Sequence, residues 1–145
     1  EIKDTLGFYV RDLTPETEYT FRVVGYDKLG NRGVESKEAV VTTTKDETAP
    51  YITAVYPESA SYKDYIELKL DAKDNCELDY AVFSYSYDKE NFEEIAVVEN
   101  TGNPTETSYC TRFDISTFPE GIIYVKYEIY DKCGNKRKHC GKSYG

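Results

Sequence analysis

The 145-residue chain has no methionine, no tryptophan and a single histidine, and no apolar run in it is long enough to cross a bilayer as a helix. Direct membrane insertion is therefore not expected. Cations are also scarce, 18 Lys and Arg against 27 Asp and Glu, for a formal net charge of −9. Nucleic acids and anionic membrane surfaces attract clustered Lys and Arg, so neither is expected as a partner. The one basic run, Lys136-Arg137-Lys138-His139, reads as guarding charges on a terminal edge strand, where lysine discourages edge-to-edge pairing. No signal peptide is legible, and because the chain does not open on methionine, upstream sequence is expected.

Catalytic equipment is missing as well. There is no glycine-rich phosphate loop and no pair of Cys-x-x-Cys spacings for zinc. His139 stands beside Cys140, and adjacent strand residues point to opposite faces, so the two do not form a nucleophile and base. Carboxylates are abundant but carry no pocket signature. The expectation is a protein that is not an enzyme.

What the chain does contain is one pattern written twice. Tyr19-Thr20-Phe21-Arg22-Val23-Val24-Gly25-Tyr26 runs into Asp27-Lys28-Leu29-Gly30-Asn31, and Val125-Lys126-Tyr127-Glu128-Ile129-Tyr130 runs into Asp131-Lys132-Cys133-Gly134-Asn135. Period-2 alternation marks a strand with one buried face, and Gly-Asn supplies residues that tolerate positive φ in a tight turn. Each copy reads as strand, turn, strand. Between them, the Thr-rich run 38–44 reads as the last strand of one domain, and residues 46–49 as a linker. The expected organisation is a first domain over 1–45, too short to bury a core unaided, and a second over 50–145.

The second segment has the length of a seven-strand immunoglobulin-like sandwich. Strands are expected at 51–56, 65–72, 80–87, 92–98, 109–113, 122–130 and 136–142, with Ile66, Leu68, Leu70, Ala72, Phe83 and Tyr85 inward. Turn signals recur between them, and no stretch carries a helical stripe. The chain reads as all-β, a tandem of sandwiches with the first incomplete.

All four cysteines, Cys76, Cys110, Cys133 and Cys140, fall in the second segment. An even count in a compact β domain points to disulfides and an oxidising compartment, although four cysteines allow three pairings. In a seven-strand sandwich the loop after the second strand and the turn before the last lie at the same end. That favours Cys76 with Cys133 and leaves Cys110 for Cys140. Cys133 with Cys140 is disfavoured because the hairpin places Cys140 opposite Lys126 or Tyr127, several residues down the ladder.

Two resemblances bear on this reading. Residues 12–23, Asp12-Leu13-Thr14-Pro15-Glu16-Thr17-Glu18-Tyr19-Thr20-Phe21-Arg22-Val23, resemble the second half of a fibronectin type III domain, in which a tyrosine hydroxyl pins the corner before its strand; Tyr19 takes that place. The resemblance implies that 1–45 hold the last three strands, the others being expected elsewhere in the polypeptide or in another chain. Asp74-Asn75-Cys76, Cys110, Asp131-Lys132-Cys133-Gly134-Asn135 and Cys140 together resemble hyalin-repeat-type immunoglobulin-like domains of secreted and surface proteins, and residues 46–50 are similar to the linker that opens many bacterial members. That family implies a spacer or adhesion role with no shared enzymatic activity.

Two further readings concern ligands. Should the linker enter beside the loops after strands two and six, Asp46, Glu47, Asp71, Asp74, Asn75, Asp131 and Asn135 would offer the oxygen ligands that calcium takes; otherwise no cofactor is expected. Turn chemistry accounts for the same residues without an ion, since Asp and Asn side chains bond nearby backbone amides. Tyrosine makes up 15 of the residues, and Tyr51, Tyr56, Tyr62, Tyr65, Tyr80, Tyr124 and Tyr130 fall out of phase with the inward set or at strand ends. Exposed on one face, they would form a sugar-stacking or protein-binding platform. The expectation is a spacer or adhesion module at the cell surface or in the extracellular space, in contact with other domains of its polypeptide, with a glycan- or protein-binding module as the alternative.

Overall fold

A computed structural model of the chain describes residues 7–57 and 62–144. Among them there is no helix, and the chain divides into two compact units, Glu1–Asp46 and Glu47–Gly145. The boundary falls inside the expected linker.

The first unit holds four short strands, β1 (Glu18–Phe21), β2 (Val24–Tyr26), β3 (Arg32–Glu35) and β4 (Ala39–Thr42). β1 pairs with β4 and β2 with β3, both antiparallel. Ser36 continues the ladder across the break, its N–H donating to Val23 O at 2.8 Å while its Oγ accepts from Val23 N–H at 2.9 Å. The result is one interrupted two-stranded ribbon. The two sides of the ribbon account for two of the expected strands among the described residues, each side broken into two short strands; residues 1–6 lie outside the described residues. The expected corner is formed, with Thr14 N–H donating to Tyr19 Oη at 2.9 Å. A ribbon has no second layer to pack against, and no residue from 7 to 45 is buried. Val34 is 94% exposed and Val23 71%.

The second unit is a sandwich of β5 (Tyr51–Tyr56), β6 (Tyr65–Lys73), β7 (Leu78–Ser86), β8 (Glu93–Glu99), β9 (Glu106–Asp114), β10 (Ile123–Asp131) and β11 (Lys136–Tyr144). One sheet has the order β5-β6-β9 and the other β11-β10-β7-β8. Alternation along each strand builds the core. Ile66, Leu68, Leu70 and Ala72 of β6 face Phe83, Val125, Tyr127 and Ile129 of the other sheet, and all are buried. Phe83 meets Tyr127 edge-on, with centroids 5.6 Å apart, and Tyr85, Phe113 and Phe118 cluster at one end. β11 pairs along its whole length with β10, and Cys140 lies opposite Lys126.

Leu78 is fully buried but lies outside the expected strand. Its phase differs from that of Ala81 and Phe83, and a register irregularity between Ile129 and Asp131 lets both sets point inward. β9 likewise starts three residues earlier than expected, at Glu106, because β6 extends to Lys73 and pairs with it there.

Two tyrosines have phenol pKa values pushed up to about 12. For Tyr85 the chief cause is its hydrogen bond to the Glu93 carboxylate at 2.6 Å, followed by burial. For Tyr109 it is burial, followed by the charge of Asp79. The folded state thus favours the neutral phenol. Its stabilising contribution is complete below the ordinary tyrosine value near 10 and is lost as pH rises toward 12, where the unfolded chain ionises first. The melting temperature is expected to fall between pH 10 and 12, less steeply in Tyr109→Phe. Equal slopes in the two proteins would contradict this.

Candidate functional site

Aspartate shapes three turns in the same way. Asp27 accepts from the backbone N–H groups of Leu29 and Asn31 and from Asn31 Nδ2. Asp88 accepts from Glu90 N–H, Asn91 N–H and Asn91 Nδ2. Asp131 accepts from Asn135 N–H at 2.7 Å and Asn135 Nδ2 at 2.8 Å. Gly30 and Gly134 take φ of 85° and 89° at matching positions, which a side chain would strain. The Asn31 side-chain bond holds Asp27 below its ordinary pKa, and the Asn91 side-chain bond holds Asp88 well below the usual carboxylate range. The Asp27 turn is exposed, and Asp27 bonds Asn31 N–H and Nδ2 as Asp131 bonds those of Asn135. Turn formation is therefore sufficient to explain Asp131 and Asn135.

The most convergent group in the second unit lies where the β6–β7 turn meets the β10–β11 turn. Asp131 pairs with Leu78 in the β10–β7 ladder, and one residue further out Lys132 N–H donates to Glu77 O at 2.8 Å. Lys132 Nζ also meets Glu77 Oε1 at 2.6 Å, which raises the Lys132 pKa. The next pair in this register is Cys133 with Cys76, and their sulfurs stand 3.3 Å apart. Asp74 and Asp131 are buried there, with carboxylate oxygens within 4.8 Å of each other.

Of the seven residues expected to share a calcium ion, Asp74 and Asp131 converge in the second unit and Asp71 does not join them. Asp71 points away from this end, on the outer face of its sheet, where it accepts from Ser108 Oγ and pairs with Lys69. Alternation is the reason, since Leu70 and Ala72 on either side are buried. Asn75 is exposed, and Asn135 is bound to Asp131. In the first unit Asp46 is its last residue and is buried, and Glu47 opens the second unit exposed.

Cys110 and Cys140 are not brought together. Cys110 is exposed on β9, at the edge of one sheet; Cys140 is exposed on β11, at the edge of the other. β9 borders β8 whereas β11 borders β5, so the two cysteines occupy opposite sides of the sandwich. Each lies opposite an outward lysine, Lys69 and Lys126, which places both on outer faces. The fold thus separates Cys110 from Cys140 within one chain, contrary to the pairing expected by elimination.

The tyrosines divide. Tyr51, Tyr56 and Tyr65 are exposed on the outer face of the β5-β6-β9 sheet. They sit at the levels of Lys73, Lys69 and residue 65 of β6, so successive rings are about 13 Å apart along the strand direction. A cation lies over each ring: Arg137 on Tyr51, Lys69 on Tyr56 and Arg112 on Tyr65. Tyr62, Tyr80, Tyr124 and Tyr130 are half-buried; Tyr80 stacks on Tyr130 at 4.6 Å, and Lys89 covers Tyr124. Tyr87, in phase with the inward Phe83 and Tyr85 and not among the tyrosines expected outside, is also exposed.

At the opposite end of the sandwich from Cys76, a cleft of about 430 Å³ is lined by Tyr62, Ile66, Ile115, Phe118 and Ile123, with Lys63 and Glu120 beside them. Neither a scan against protein-family models nor a search of curated proteins finds a match to this chain.

Proposed function

We propose that the chain is a non-catalytic spacer or adhesion module of a secreted or cell-surface multidomain protein, of bacterial origin on the resemblance described, and that its second unit acts as a rigid block between other domains of the same polypeptide. The observation that carries this reading is where the perturbed groups lie. The shifted aspartates belong to turns they cap, and the shifted lysines to ion pairs, Lys69 with Asp71 along β6 and Lys132 with Glu77 between two turns. Tyr85 and Tyr109 belong to the sandwich's own packing. Catalytic sites instead concentrate such shifts in a cleft. The Tyr19 corner and the paired Asp-Lys-x-Gly-Asn turns support tandem fibronectin type III and immunoglobulin-like modules, an argument from fold that leaves function to the site.

A second reading, a glycan- or protein-binding module, is favoured by the exposure of Tyr51, Tyr56 and Tyr65 on one sheet face. The spacing and the cations over the rings make that face discontinuous as a stacking platform. Replacing residues 47–145 in the parent protein by an unrelated seven-strand sandwich of similar length separates the two. A spacer predicts retained activity and surface attachment. Loss of ligand attachment in the replacement, reproduced by the triple change of Tyr51, Tyr56 and Tyr65 to Ala, would overturn the spacer in favour of the binder.

A further inference from the structure

We infer that the second unit carries a single intramolecular disulfide, Cys76–Cys133, which extends the β7–β10 ladder beyond its last backbone pair, while Cys110 and Cys140 do not form a second one. The register is the basis. Leu78 pairs with Asp131, and Glu77 O receives the Lys132 N–H, so in this antiparallel arrangement Cys76 falls opposite Cys133. Directly opposed residues have Cα separations of about 4.5 to 5.5 Å, inside the 4.4 to 6.8 Å range that disulfides use. The sulfurs are in contact at 3.3 Å, and closing to about 2.05 Å needs only a small side-chain rotation. The Lys132–Glu77 ion pair and the Asp131–Asn135 turn bonds already hold both segments in place, so bond formation does not have to order them. Both cysteines are half-exposed, which admits an oxidant.

The chemistry balances with a small disulfide such as oxidised glutathione. One protein thiolate attacks its S–S bond, giving a mixed disulfide and releasing one glutathione thiolate. The second protein thiolate attacks the protein-bound sulfur, forms Cys76–Cys133 and releases the other. Two protein thiols are oxidised and one external disulfide is reduced.

The bond closes a span of 57 residues, long enough for a large effect on the unfolded chain. The test is to equilibrate the folded 145-residue protein with oxidised glutathione, alkylate it and map its peptides without reduction. The expected map joins the Cys76 and Cys133 peptides, with Cys110 and Cys140 alkylated or glutathionylated. Reductant should lower the melting temperature of the wild type by about 10 °C or more and leave Cys76→Ser and Cys133→Ser unmoved. Alkylated Cys76 or Cys133 in the folded, oxidised protein, or a Cys110–Cys140 link within one chain, would overturn the inference. The wild-type map decides the matter even if a serine variant does not fold.

Discussion

Phe83→Ala is expected to destabilise the sandwich by about 3 to 5 kcal/mol. Phe83 is fully buried and meets Tyr127 edge-on at the centre of the core, so truncation removes a ring that neighbouring strands cannot collapse to replace. Domains of this size are stable by about 5 to 15 kcal/mol, so the loss is a large share of the total. At about 4 to 8 °C per kcal/mol the melting temperature should drop by more than about 10 °C. Val97→Ala is the control. Val97 is 50% exposed on an edge strand, and its truncation should cost less than about 1 kcal/mol. Chemical denaturation of the three proteins checks this; equal midpoints for Phe83→Ala and the wild type would mean that the two sheets do not enclose a packed core.

The seven strands of the sandwich were legible because alternation in β6 and β10 is nearly unbroken and turn residues separate each run. The inward set Ile66, Leu68, Leu70, Ala72, Phe83 and Tyr85 follows from that periodicity alone; the first five are buried, and Tyr85 is half-buried against the core. Leu78 escaped because a bulge reverses the phase of β7, and a bulge is a property of two strands rather than of one sequence. The outward phase of Cys110 relative to Thr111 and Phe113 was also legible. Which sheet and which edge β9 and β11 occupy was not, because pairing by elimination ignores the fact that the two edges lie on opposite sides. Asp71 was grouped with the turn aspartates although its place between Leu70 and Ala72 already assigned it outward. The aspartate turns were readable as turns, since Asp27, Asp88 and Asp131 each precede an asparagine at the spacing their hydrogen bonds require. The stack of Tyr80 on Tyr130 depends on cross-strand register, which no single run reveals.

The two units should differ most in how tightly they hold their amide hydrogens. In the second unit the central strands β6, β7 and β10 are packed on buried side chains and hydrogen-bonded on both sides, so their amides exchange only when the whole sandwich opens. With a global stability of at least about 5 kcal/mol, and 1.4 kcal/mol per factor of ten, protection should reach about 10³ to 10⁴ or more. The first unit offers no buried residue between 7 and 45, and a two-stranded ribbon without a covered face is marginal in water. Its ladder bonds, and ion pairs such as Arg22–Glu38 and Arg22–Glu35, are exposed and contribute little.

Native-state hydrogen exchange on the full 145-residue chain, read residue by residue by NMR, tests the central claim of a self-sufficient sandwich joined to a ribbon that lacks a core. The account predicts strong protection at Leu68, Phe83 and Tyr127, and protection below about tenfold at Tyr19, Phe21 and Val41. Comparable protection in β1–β4 of the monomeric chain would contradict it.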